Sequence, residues 1–116
     1  MTDQFSPEYI AYILSDEAKG LQRLWNVQPG DWYVRPTESV PELVTGMILS
    51  WDFTACIWLP TLWQLLQIIE RAGWGWIRDK QGRWTGYRPK HVAIRVSGSE
   101  DMLAAAKLAV RAIGGN

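Results

Sequence analysis

The chain reads as a single α+β domain over 1–116, a mainly antiparallel sheet of four to five strands with three helices. Three observations predict this. Two segments carry apolar residues at helical spacing, and an alanine-rich third segment closes the chain. Between them lie short β-prone runs separated by turn residues, which favours antiparallel pairing. The composition, 47% hydrophobic and 21% charged, suits one core. A chain of this length buries roughly two-thirds of its unfolded surface without needing metals or disulfides.

The first helix opens at Ser6-Pro7-Glu8. Ser6 can cap, Pro7 suits the first helical position, and Glu8 favours the positive end of the dipole. Ile10, Ile13, Leu14, Leu21, Leu24 and Trp25 continue the spacing. Gly20 and Ser15-Asp16-Glu17 predict a kink, or a restart capped by Asp16, and Pro29-Gly30 is the expected end. Gly30 to Val34 reads as a turn entering a short strand, and Arg35 to Glu42 as a loop broken by Pro36 and Pro41. A second strand is expected over Leu43–Trp51, with Asp52-Phe53-Thr54 as its turn. Cys56 to Leu59 is a short partner strand or the entry to the next helix.

Thr61 and Gln64 match the capping box. In the helix that follows, Leu62, Leu65, Leu66 and Ile69 form the expected core stripe, and Gly73 suits the position after its end. Trp74 to Arg78 and Arg83 to Arg88 read as a hairpin across Asp79-Lys80-Gln81-Gly82. His91 to Ser97 alternates as a half-buried strand, with Val92, Ile94 and Val96 on one side. Ser99 is the expected cap of a last helix whose stripe is Leu103, Ala106, Val110 and Ile113, stopped by Gly114-Gly115.

The net charge of zero conceals a division. Residues 71–95 hold seven of the 12 basic residues against Asp79 alone, a net of +6. Residues 1–70 carry −6 and residues 96–116 are neutral. The basic segment is interleaved with Trp74, Trp76, Trp84 and Tyr87, and the chain has eight tryptophans in all. Indole rings beside guanidinium groups can stack bases and take phosphate oxygens. They are equally the favoured residues of protein–protein hot spots. They also make ordinary core and self-satisfied surface.

Several stretches resemble a loose group of small phage and prophage proteins of Gram-positive bacteria, some described as phage α-β-α sandwich domains. The matching pieces are Pro7-Glu8-Tyr9-Ile10, Gly30-Asp31-Trp32, Trp58-Leu59-Pro60 ahead of a helix with Gln64-Leu65, and the closing Ala-rich helix. Trp63 and the 74–88 hairpin depart from that group's more polar middle. The resemblance implies a phage accessory role in DNA metabolism, host takeover or counter-defence, within the cytoplasm of a bacterial host cell. It carries over no catalytic residue.

Catalysis finds little footing. One His and one Cys, 35 positions apart, show no metal or nucleophile spacing, and no Walker, H-E-x-x-H or G-x-G-x-x-G pattern occurs. Asp16-Glu17 and Glu100-Asp101 are adjacent acids that do not share a helix face. A carboxylate-only enzyme is the third-ranked alternative. Cys56, in an apolar run, is expected buried and inert. No signal peptide or membrane span is expected. The expectation is therefore a binding protein, neither enzyme nor cofactor carrier. Its surface is Trp74, Trp76, Arg78, Arg83, Trp84, Tyr87 and Arg88. The partner is an anionic nucleotide-like molecule or a host bacterial enzyme, with homo-oligomerisation left open.

Strand alternation sharpens this further. A three-residue hairpin loop puts Trp74, Trp76 and Arg78 on one face with Trp84, Gly86 and Arg88. A two- or four-residue loop puts Trp74 and Trp76 with Arg83, Thr85 and Tyr87 instead. Gly75 and Gly86 would let a ligand or a backbone approach closely. Trp25, Trp32, Trp51 and Trp58 are expected in the core, Trp63 either flanks it or reaches a partner, and His91 is expected on the surface.

Overall fold

The computed structural model describes residues 5–35, 37, 40–45 and 55–114. Within them the fold is α+β, with two three-stranded antiparallel sheets and four α-helices. The expected single sheet of four to five strands with three helices is corrected to this. The chain divides into two contact units, Met1–Pro60 and Thr61–Asn116, and each builds its own sheet.

The first unit opens with α1 (Pro7–Ile13). Ser6 Oγ accepts from the Tyr9 amide at 3.1 Å, and Pro7 holds the first turn, as the sequence predicts. Tyr9, Ile10 and Ile13 face inward, and the Tyr9 hydroxyl donates to the Pro60 carbonyl at 2.6 Å. The helix then breaks and restarts at Ser15-Asp16-Glu17, where the sequence predicts a kink or restart. A 3-10 turn (Asp16–Ala18) and the short α2 (Lys19–Gln22) follow. Ser15, not Asp16, stands at the cap position, and Asp16 instead pairs with Lys19 at 2.9 Å. The helix stops at Gln22, well before Pro29-Gly30. From there Asp31 organises the chain, because its carboxylate accepts from the Trp25 indole and the Gln28 amide, both at 3.0 Å.

β1 (Trp32–Val34) lies between β2 (Glu42–Leu43) and β3 (Ile57–Leu59). Tyr33 and Val44 form a small apolar cluster, and Trp25, Val27 and Cys56 pack against it. Cys56 is thus only partly buried, where a buried thiol was expected. Trp58 is buried and stacks parallel to Trp25 at 6.4 Å, whereas Trp25 and Trp32 are only half-buried. Val44 and Thr45 follow β2 without extending it, contrary to the strand expected over Leu43–Trp51, and residues 46–51 of that strand, the turn at 52–54, Pro36, Trp51 as a core residue and Gly115 lie outside the described residues.

One detail fixes the outer edge of β3. The Gln22 side chain donates to the Trp58 carbonyl at 3.0 Å and accepts from the Trp58 amide at 2.7 Å. A side-chain amide thereby occupies the hydrogen-bonding row that a further strand would use.

The second unit begins with α3 (Leu62–Arg71). The Thr61–Gln64 capping box forms as predicted. Gly73, at φ 89°, ends the helix, with the Trp74 amide donating back to Ile69 and the Gly73 amide to Glu70. This is the Schellman arrangement, and its left-handed residue suits glycine. The buried stripe is Leu65, Ile68 and Ile69. The expected stripe is therefore rotated, since Leu62 and Leu66 are half-buried at its border. Trp63 is 68% exposed.

β4 (Gly75–Arg78), β5 (Trp84–Tyr87) and β6 (Ile94–Val96) follow in chain order, then α4 (Asp101–Gly114). Leu103, Ala104, Ala105, Ala106, Leu108, Ala109 and Ala112 of α4 are buried. The stripe is wider than expected, and Val110 and Ile113 stand at its margin. Between β5 and β6 the His91 amide donates to the Arg88 carbonyl at 3.0 Å, closing a turn with Pro89 second and Lys90 third. Lys90 takes φ 68°, where a side chain is strained.

Two stability measurements check this packing. Leu65→Ala should cost about 2–5 kcal/mol in a denaturant titration, and Leu66→Ala clearly less; equal losses would contradict the rotated stripe. Lys90→Gly should stabilise by up to about 1 kcal/mol by relieving the left-handed residue, and a loss of stability would show the turn is unstrained.

Candidate functional site

The hairpin loop decides which side chains share a face. Asp79 donates its amide to the Arg83 carbonyl at 2.9 Å, so the loop is the three residues Lys80, Gln81 and Gly82. Gly82 adopts φ 79° to close it. The register pairs Gly75 with Tyr87, Trp76 with Gly86, Ile77 with Thr85, and Arg78 with Trp84. Of the two alternatives, this is the one that gathers Trp74, Trp76, Arg78, Trp84 and Arg88 on one face.

That face belongs to the helices. Trp74 is 4% exposed and Trp84 is 2% exposed. Gly86 lies under α4, where a Cβ would come within 2.5 Å of Leu108 Cδ1. Trp76 and Trp84 pack at 5.1 Å between ring centroids. Asp101, in the first turn of α4, accepts from Arg78 Nε at 2.8 Å and from the Trp84 indole at 3.3 Å. Trp76 donates its indole N–H to Glu70 at 3.3 Å. Arg88 reaches back over Gly73, close enough that a Cβ there would touch its guanidinium at 3.4 Å. The Trp74 ring meets His91 edge-on at 5.6 Å, and its own N–H is buried without a hydrogen-bond partner among the described residues. Most of the aromatic and cationic groups expected to meet a ligand are thus engaged by the chain itself.

The opposite face is open. Alternation places Ile77, Thr85 and Arg95 in one row across the three strands, since Thr85 stands opposite both. Gly75, Tyr87, Asp79, Arg83 and Ser97 flank that row. Ile77 is 58% exposed and Tyr87 is 50% exposed. The Tyr87 ring lies across Gly75, where a Cβ would clash at 2.3 Å. The close approach that Gly75 permits is therefore to this ring, as Gly86 permits that of Leu108.

A groove of about 420 Å³ runs along this face, lined by Asp79, Arg83, Thr85, Arg95, Val96 and Ser97. Its size falls in the range of small-molecule sites. The Arg95 guanidinium has no hydrogen-bond or ion-pair partner among the described residues; only its main-chain carbonyl is engaged, by Arg111. Arg83 pairs with Asp79 at 2.9 Å. Asp79 also accepts from the amides of Gln81 at 2.8 Å and Arg83 at 2.9 Å. Its carboxyl is held below the ordinary Asp value, first by the Arg83 amide and further by the Gln81 amide and the Arg83 guanidinium, against an opposing desolvation. Asp79 is thus a satisfied structural anion, and the groove's unmet charge is positive.

Of the sequence-selected residues, Arg83 lines this groove and Tyr87 shares its face. Asp79, Thr85, Arg95, Val96 and Ser97 complete it without having been selected. The signal for them was the alternation of 91–97 combined with the hairpin parity. Among the described residues no group of three His, Cys, Asp or Glu side chains could hold a metal, and no helix is long and apolar enough to cross a membrane. No protein-family model, curated protein or solved structure matches this chain.

The Asp79 geometry has a pH signature. A lowered carboxyl value stabilises the folded tip fully above the unfolded value of 3.8 and loses that contribution as pH falls through the folded value. The Gln81 and Arg83 amide resonances should therefore titrate with a midpoint below 3.8, and Asp79→Asn should abolish the transition. A midpoint at or above 3.8 would refute the proposed bonding.

Proposed function

We propose that this is a non-catalytic accessory binding protein, of the phage or prophage type its sequence resembles. Its ligand is a small anion of nucleotide-like chemistry, held on the open face of the β4–β5–β6 sheet. The observation that carries this is the Arg95 guanidinium, without a partner among the described residues, beside a groove whose remaining polar lining includes Arg83 and the Thr85 and Ser97 hydroxyls. Guanidinium and hydroxyl donors suit phosphate oxygens, and Arg takes them bidentately. The Tyr87 ring on the same face offers a stacking surface for a base. The unit 61–116 has nine basic against four acidic residues, a net of +5, which raises the local concentration of an anion.

A second function is favoured by a different observation. Ile77 and Tyr87 are large apolar side chains exposed on this face, as a docking surface for a host protein would have. An inhibitor or adaptor would use the same residues with an acidic partner surface.

Calorimetric titration with mononucleotides and dinucleotides tests the first function. Binding should weaken as salt rises. Arg95→Ala should lose at least about tenfold in affinity, roughly 1.4 kcal/mol, with thermal stability unchanged. Absence of nucleotide binding at millimolar ligand, or binding indifferent to Arg95→Ala, overturns it. Salt-sensitive capture of an acidic protein in that case supports the second.

A further inference from the structure

The two outer edges of the β4–β5–β6 sheet are treated differently. Along β6 the outward carbonyls are taken by α4: Lys107 donates to Ser97 at 3.1 Å, and Arg111 to Arg95 at 3.3 Å. Covering an edge this way discourages further pairing. Along β4, Asp79, Ile77 and Gly75 turn their main-chain groups toward β5, as the Asp79–Arg83 bond and the register require. The amides and carbonyls of Trp76 and Arg78 therefore point outward. None has a hydrogen-bond partner among the described residues.

We propose that this edge pairs with the same edge of a second copy of the chain, antiparallel, about a two-fold axis at Ile77. The strand is self-complementary in that register. Trp76 of one copy stands opposite Arg78 of the other, and the two pairs exchange four main-chain hydrogen bonds. Ile77 stands opposite its own counterpart at the non-hydrogen-bonded position, where side chains come closest. The exposed Ile77 then gains an apolar neighbour on the open face. On the other face each indole meets the guanidinium of the mate, a favourable cation–π pairing. Asp101 already neutralises each Arg78, which lessens repulsion between the two arginines. An isologous contact of this kind closes at two copies. The product is a six-stranded sheet on whose two outer edges α4 side chains already take the Arg95 and Ser97 carbonyls.

The interface is small, so dimerisation should depend on concentration between about 10 µM and 1 mM. Sedimentation equilibrium of the full chain measures it. Each copy brings a net +5 on this unit, so the dimer should strengthen with salt. Nucleotide binding to Arg95 has the opposite salt dependence, which separates the two effects. Ile77→Lys places like charges at the two-fold axis and should weaken the dimer at least about tenfold. Because Ile77 is exposed, circular dichroism should show an unchanged fold. An independent variant reads geometry directly. With Cys56→Ser to remove the native thiol, Ile77→Cys should give a disulfide-linked dimer on mild oxidation, since opposed residues at such positions lie about 4.5 Å apart. Thr85→Cys, on the same face of the central strand, should not. A monomer throughout this range overturns the proposal, as does a dimer that Ile77→Lys leaves intact and Ile77→Cys fails to cross-link.

Discussion

The second unit turns on a close approach between α4 and Gly86. With no side chain at that position, Leu108 settles directly on the central strand. One side of the sheet is thereby committed to helix packing, and the alanines of α4 extend the contact at short range. Every residue sharing that side inherits a structural role. Trp74 and Trp84 become core, Trp76 packs on Trp84, and Arg78 answers Asp101 at the start of the helix. The same approach leaves Ile77, Thr85, Tyr87 and Arg95 facing outward.

This explains what could and could not be read from residues alone. Local chemistry was legible. The Ser6 cap, the Thr61–Gln64 box, the glycine after α3 and the hairpin each depend on neighbours within a few positions. Parity on each strand was legible as well, because alternation is a property of the backbone. Which face the helices would cover was not. Tryptophan suits both a core and a binding surface, and choosing between them requires knowing where α4 lands. The phase of α3 was missed for a related reason. Leu66 and Ile68 both satisfy a helical spacing with Leu65 and Ile69, and tertiary contact selects Ile68. The break after Ile13 reflects competition at Ser15, whose hydroxyl donates to the Tyr12 carbonyl instead of allowing the helix to continue.

The charge division takes on a different meaning once placed. Arg78 and Arg83 answer acids close by, and Arg88 folds back over the end of α3. The surplus that faces the open groove reduces to Arg95, set between hydroxyls. Three members of a cluster conspicuous in composition thus brace the hairpin, and Arg95, at the cluster's far end, is the member that lines the open groove without a side-chain partner among the described residues.

Gln22 bears on the order in which the first unit assembles. Its amide bridges to Trp58 across 36 positions, and both of its bonds are to one residue's main chain. Closing so long a loop costs chain entropy that a single side chain cannot recover. The bridge becomes favourable only after β1 has brought β3 into line and α2 has set the direction of the amide. It is therefore expected to form late in folding, outside an early nucleus. Its loss should speed unfolding while leaving the folding rate nearly unchanged.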